Sequence, residues 1–229
     1  MVDGEGLADA GTEVIAAFPL GTVLLPGQNL DLRVFEPRYR VMLFDLRDQD
    51  PAELLVNMIE RGSEVGGGDV RSRVGCIARL EQRTDLPDGT TVISIIGSDR
   101  ARVVEWLAED PYPTAEVTRL IEPSGFAPHA SVGSTAALAE LRELGESVLD
   151  AAESLGQPRE ARPHRWETDP VHLSWQLALA TPLATLDRYR LLAEDDPRRR
   201  IELLSIMLAE ALELLSARKD LQGPWTDFT

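Results

Sequence analysis

The chain has 229 residues, a formal net charge of −16 and a sequence pI near 4.6. An acidic balance of this size argues against a general binder of nucleic acid or anionic membrane, because phosphate recognition runs on basic surface. Hydrophobic content of 43% and charged content of 27% are those of an ordinary globular protein, long enough to bury a core without staples.

The sole cysteine, Cys76, excludes an internal disulfide. It sits in the apolar segment VGCIARL and reads as a buried small hydrophobe rather than a reactive thiol. Lys219 is the only lysine among the 23 basic residues, so any lysine-dependent chemistry must use it. The opening MVDGEGLADAGTE has neither the basic nor the apolar region of a signal peptide. No apolar run approaches the ~18 residues of a membrane helix. The expected location is the cytoplasm.

Residues 1–12 are expected to form a flexible tail. Val14 to Phe18 begin a first strand, and Pro26-Gly27 marks a turn, Pro setting φ and Gly accepting positive φ. Leu30, Leu32 and Val34 alternate with Asn29, Asp31 and Arg33, the pattern of a half-buried strand. Pro37 suits the first turn of a helix carrying Tyr39, Met42, Leu43 and Leu46, which should end before Asp50-Pro51. Glu53 to Ile59 is ambiguous between strand and helix on its own residues. Gly62 to Arg73, with Gly66-Gly67-Gly68, reads as a flexible loop. Ile77 and Leu80 belong to a strand joined by the Asp88-Gly89 hairpin to Val92–Ile96. Gly97 is read as a break, after which Ala101 to Trp106 resume. Asp110 to Pro113 make a corner, and Ala115, Val117 and Leu120 carry a last strand. Short strands with turn chemistry between them predict a small barrel or two-layer sheet.

The Pro-, Gly- and Ser-rich stretch from Glu122 to Ser134 separates sheet pattern from helix pattern. Leu138, Leu141, Leu144, Val148, Ala152 and Leu155 then mark an amphipathic helix. Asp169-Pro170 predicts a capped helix through Leu179, interrupted at Pro182. A short helix covers Leu183–Ala193. Asp196-Pro197 repeats the cap before a stripe of Ile201, Leu204, Leu208, Leu212 and Leu215. The organisation read from this is a tail over 1–12, a barrel over 13–122, a linker over 123–134, a helical part over 135–220 and a tail over 221–229.

These residues also resemble a family. Phe18-Pro19-Leu20, Pro26-Gly27, Phe35-Glu36 and Arg38-Tyr39 are similar to the FPL…PG…FE-x-RY signature of the Lon N-terminal, or substrate-binding, domain. Val74-Gly75-Cys76 with Ala78, Asp88-Gly89, Gly97 with Arg100 and Arg102, and Tyr112-Pro113 with Ala115 and Val117 follow in the family's order. The helical end from Asp169 to Leu215 is similar as well, so the resemblance spans residues 14 to about 218. It implies an α+β fold, a PUA-like β-barrel followed by a C-terminal helical bundle, and it makes residues 53–59 a strand. Most of the signature is expected to be scaffolding, with Phe18 and Phe35 as core. Glu36 either pairs with Arg38 or accepts helix N-terminal N–H groups.

The motifs of catalysis are missing. The full Lon protease carries an ATPase module and a Ser–Lys peptidase module; this sequence has no G-x-x-x-x-G-K-[ST] phosphate loop. Lys219 lies beside Arg218 and Asp220 and reads as a solvated helix-end cation, not a dyad base. His129, His164 and His172 show no H-E-x-x-H spacing, and one cysteine supports no structural zinc. The chain is therefore expected not to be an enzyme, and no catalytic residue, cofactor or metal is assigned.

The expected function is that of a standalone polypeptide-binding module for unfolded or flexible segments or a partner protein, possible uses being adaptor work in proteolysis or quality control. Trp106, Tyr112 and Trp175 are the candidate partner-binding residues, although both tryptophans are also plausible core. The alternatives are a small-molecule or RNA-binding PUA-like domain and, last, a hydrolase. RNA binding requires Arg71, Arg73, Arg79, Arg83, Arg100, Arg102 and Arg119 to cluster on one face. A monomer or weak dimer is expected.

Overall fold

The structure is a computed structural model describing residues 11–62, 68–122, 135–157 and 162–221. The chain divides into two compact units, Met1–Ile121 and Glu122–Thr229. The expected tails and linker fall largely outside the described residues.

The described residues of the first unit form six strands and one helix: β1 (Glu13–Leu20), β2 (Asn29–Val34), α1 (Pro37–Leu46), β3 (Glu53–Arg61), β4 (Val70–Asp85), β5 (Thr91–Trp106) and β6 (Thr114–Leu120). The sheet order is β2-β5-β4-β3-β1-β6, and a further β5–β6 pairing brings the sheet round on itself. It is not a regular barrel. The 16-residue strands β4 and β5 each serve different neighbours along their length, and bulges interrupt the β3–β4, β4–β5 and β5–β6 ladders. β1 lies parallel to β3, while its other partner β6 runs antiparallel.

Alternation sorts the strand residues between two faces. Ile15 and Ala17, Leu55, Ile77, Ala101 and Val103, Ala115 and Val117 form one buried cluster, with Trp106 packed against it. The three alanines keep that interior narrow enough to fill. Phe18 has the opposite sense to Ala17, and its ring meets Tyr39 of α1 with centroids 4.4 Å apart. Tyr39, Met42, Leu43 and Leu46 are the buried face of α1, at helical spacing. Full burial of each such side chain stabilises by roughly 1.5–3 kcal/mol, which holds this short helix in place.

Three sequence expectations change here. Gly97 does not break a strand; it lies inside continuous β5. Its amide donates to the Gln28 carbonyl at 2.9 Å, and its own carbonyl accepts from Gly27 N–H at 2.8 Å. A Cβ at position 97 would lie 2.3 Å from the Leu25 carbonyl oxygen, so glycine is required by the docking of the Pro26-Gly27 turn. Arg71 and Arg73 belong to β4, because Arg61 and Ile59 of β3 pair with Val70 and Arg71. The expected loop is correspondingly shorter, and residues 63–67 lie outside the described residues. Phe35 is not core: it is 56% exposed, just beyond the end of β2.

The second unit contains α2 (Thr135–Ser154), α3 (Pro170–Ala180), α4 (Thr185–Ala193) and α5 (Pro197–Leu221). Asp169 caps α3, its carboxylate accepting from the amides of Val171 and His172 at 3.0 Å each. Asp196 does the same for Arg198 N–H of α5 at 2.9 Å. α3 buries Val171, Leu173, Trp175, Leu177 and Ala178 and is the most apolar of the four helices. Gly145 lets α2 close onto Leu177, since a Cβ there would lie 2.4 Å from the Leu177 Cδ2. Ile201, Leu204, Leu208 and Leu215 are buried along α5, with Leu212 half-buried.

Candidate functional site

Among the described residues two strand edges of the first unit have no ladder partner, and a groove lies between them. Among the described residues β2 is the end strand of the sheet and pairs only with β5, in unbroken register from Asn29↔Ile96 to Val34↔Thr91. β1 pairs with β6 through Glu13–Ala16, and one further bond runs from Ala17 N–H to the Pro113 carbonyl. Beyond it, Phe18, Pro19 and Leu20 have their ladder partners on the β3 side. These three residues and Leu32, Arg33, Val34, Phe35, Glu36 and Tyr39 line a groove of about 90 Å³.

Six residues of the sequence signature thus converge on one feature: Phe18, Pro19, Leu20, Phe35, Glu36 and Tyr39. The groove is mainly apolar, and Phe35 stands at its mouth. Its polar end is fixed by ion pairs. Glu36 makes no side-chain cap to α1; instead it accepts from Arg38 Nε at 3.1 Å. The Arg38 guanidinium lies over the Tyr39 ring at 4.5 Å and also reaches Glu109. Glu109 accepts in turn from Arg71, which grips Asp69 with two bonds of 2.5 and 3.1 Å and stacks over Trp106. Burial alone would raise the Asp69 carboxyl, but the hydrogen bonds and charge of Arg71 hold it below the ordinary carboxylate value. Burial pushes the Tyr39 phenol up to about 12, so it stays protonated.

The other signature residues have structural posts. Pro26, Gly27 and Gly97 form the turn contact described above. Gly75 faces the Val56 carbonyl, where a Cβ would lie 2.6 Å away. Gly89 takes φ +82° in the hairpin, and Arg100 is buried. Of the candidate contact residues, Trp106 is half-buried under Arg71. Tyr112 donates to Asp45 at 2.9 Å. It lines a second, more polar pocket of about 270 Å³ with Glu13 and Glu53. Those two carboxylates are committed to Arg119, which also binds Asp99 at 3.0 Å. Trp175 is corrected: it is 5% exposed, covered by the Arg200 guanidinium at 4.3 Å, and presents no surface to a partner.

Five of the seven arginines named for RNA are not free for phosphate. Arg71, Arg79, Arg83 and Arg119 each pair with carboxylates, and Arg100 is buried. Cys76 is fully buried, and desolvation pushes its thiol up to about 12. His172 is exposed and pairs with Asp169 at 2.9 Å, while His129 lies outside the described residues. Among the described residues no group of three or more His, Cys, Asp or Glu is arranged to hold a metal ion, and no helix is long and apolar enough to cross a membrane. Leu32 and Val34 were legible as strand residues but not as groove lining, because a strand's edge position has no signature in its own residues.

Comparison with known proteins agrees with this architecture. The family model of the ATP-dependent protease La (LON) substrate-binding domain matches residues 14–210, so the chain belongs to that family. It is 29% identical to Lon protease 2 of Herpetosiphon aurantiacus over 97% of its own length and 27% of that protease's. With the Lon protease of Escherichia coli K12 the identity is 24% over 77% of this chain and 22% of the protease. The chain thus spans about a quarter of the length of these curated relatives. Among solved structures, a Lon N-terminal domain protein from Xanthomonas campestris is 30% identical with a TM-score of 0.60, covering 84% of this chain and 96% of that one. The N-terminal domain of a Mycobacterium avium complex Lon protease has the same fold, at 19% identity and a TM-score of 0.58, covering 86% of this chain and 99% of that one. The matched family is a non-catalytic, substrate-binding domain.

Proposed function

We propose that the chain is a non-catalytic module that holds unfolded or flexible polypeptide in the groove between β1 and β2, as an adaptor for proteolysis or quality control. One observation carries this reading: six signature residues from β1, the β2–α1 connection and α1 line a single apolar groove, and one of its three aromatics, Phe35, is turned to solvent. Phe35 and the apolar groove walls are contiguous, and an apolar patch beside a groove marks an interaction site where a lone exposed side chain does not. Pairing of the barrel arginines with carboxylates weighs against RNA. The dominance of apolar walls over the small groove volume favours a side chain or two of a polypeptide over a cofactor-sized ligand. A monomer or weak dimer in the cytoplasm is the expected working state.

The test is site-specific photo-crosslinking. A benzophenone side chain at position 35 should capture a reduced, alkylated, permanently unfolded polypeptide. The same group at position 104, also exposed but on β5, should capture far less. Equal capture at the two positions would sink the proposal.

A further inference from the structure

We infer that the occupant of this groove is an extended segment that adds to the sheet as a strand along the free edge of β2. Its residues are apolar at alternate positions and basic at the positions between. The inference rests on the groove reading above and goes on to name how the segment is held.

An unpaired edge offers a row of backbone N–H and C=O groups. Natural sheets commonly blunt such edges with proline, bulges or short strands. β2 is short, but it contains no proline and its register against β5 is continuous, whereas three of the other ladders are bulged. Its edge is therefore regular enough to pair with an added strand. The opposite wall of the groove is formed by Phe18 to Leu20, which have their ladder partners on the β3 side, so side chains of an added strand would enter between the two walls.

Strand geometry then dictates the sequence of the occupant. Successive side chains of an added strand point to opposite faces. One set lies on the face where β2 presents Leu30, Leu32 and Val34 and must be apolar. The other set lies on the face where β2 exposes Asn29, Asp31 and Arg33. Arg33 is already matched by Asp88 at 2.5 Å, while among the described residues Asp31 accepts from a neutral Ser94 hydroxyl. Charge complementarity across paired strands therefore favours lysine or arginine opposite this face. The −16 charge of the whole chain acts in the same direction, concentrating cationic segments at low salt.

The experiment uses the full chain and a fluorescein-labelled ten-residue peptide of alternating valine and lysine, read by fluorescence anisotropy. Two derivatives carry backbone N-methyl groups, one on every valine and one on every lysine. In an added strand, only one of the two sets directs its N–H groups at β2. One methylated peptide should lose at least tenfold in affinity, and the other should stay within threefold of the parent. Equal affinities for the two methylated peptides would overturn strand addition while leaving the groove reading intact. A version with glutamate for lysine should bind at least tenfold more weakly at 50 mM salt, with the difference shrinking at 500 mM. Equal binding of the two charge versions would overturn the basic preference. Absent binding of the parent peptide, with capture of unfolded polypeptide at position 35 retained, would overturn strand addition alone; binding unchanged by Phe35→Ala would bring down the groove reading itself.

Discussion

Phe35 gives the sharpest test because fold and binding should respond to its removal in opposite degrees. It is 56% exposed, so it contributes little to the core. A phenylalanine presents about 200 Å² in all, which leaves roughly 110 Å² for a partner to cover. At about 25 cal/mol per Å², complete coverage contributes roughly 2.8 kcal/mol and half coverage about 1.4 kcal/mol. Phe35→Ala should therefore weaken binding of an unfolded polypeptide by about ten- to a hundredfold. Its unfolding free energy in urea should move by less than about 0.5 kcal/mol, as for other surface substitutions. Anisotropy titration and urea denaturation on the same preparations separate the two effects. Affinity within twofold of the parent chain, at unchanged stability, would refute the reasoning. A stability loss above about 2 kcal/mol would show instead that Phe35 is packed in the core.

Three further outcomes follow from the packing and the titrating groups. Gly97→Ala should destabilise the first unit by about 2–4 kcal/mol in urea, since the obstacle to the new Cβ is the Leu25 carbonyl, which is backbone and cannot swing aside. A change below about 0.5 kcal/mol would contradict the close approach of the turn. Asp69 is more acidic folded than unfolded, so its ionised form stabilises the fold above its ordinary value of 3.8, and that stability is lost as pH falls through the lower folded value. Asp69→Asn should accordingly be less stable than the parent near neutral pH, with the gap closing below about pH 4 in acid titrations. A gap constant across that range would count against the Arg71 pairing as its origin. The Cys76 thiol, buried and shifted to about 12, should resist a disulfide reagent at pH 8 and react only as fast as the protein unfolds. Rapid native labelling would exclude the burial described.

The sequence revealed most where a residue's role depends on its neighbours along the chain. Alternation from Asn29 to Val34, positive φ at Gly89 and the Asp169 cap are local facts, and each strand, turn or helix end follows from them. Gly97 misled because the obstacle it avoids, the Leu25 carbonyl, lies 72 positions away in sequence. Arg71 and Arg73 read as loop from the glycines and charges that precede them, whereas pairing to β3 decides their state. Phe35 looked like core because it is aromatic and follows an alternating strand. Only the knowledge that β2 ends the sheet puts it beside an open groove. Trp175 is the reverse case: its chain neighbours leave its burial open, and Arg200, a residue of another helix, covers it.

The pairing of β1 with β6 has a consequence for synthesis on the ribosome. Glu13 pairs with Val117, so the first strand made needs a partner that appears 104 residues later. At about 5–20 residues per second, the nascent chain waits roughly 5–20 s between emergence of the two strands. Through that interval β1 has an open side along Glu13–Ala16 as well as along Phe18–Leu20, and the sheet cannot come round on itself. A ribosome-bound chain arrested before Thr114 should therefore recruit chaperones and be cut readily by protease, and one arrested about 40 residues beyond Leu120, clear of the exit tunnel, should not.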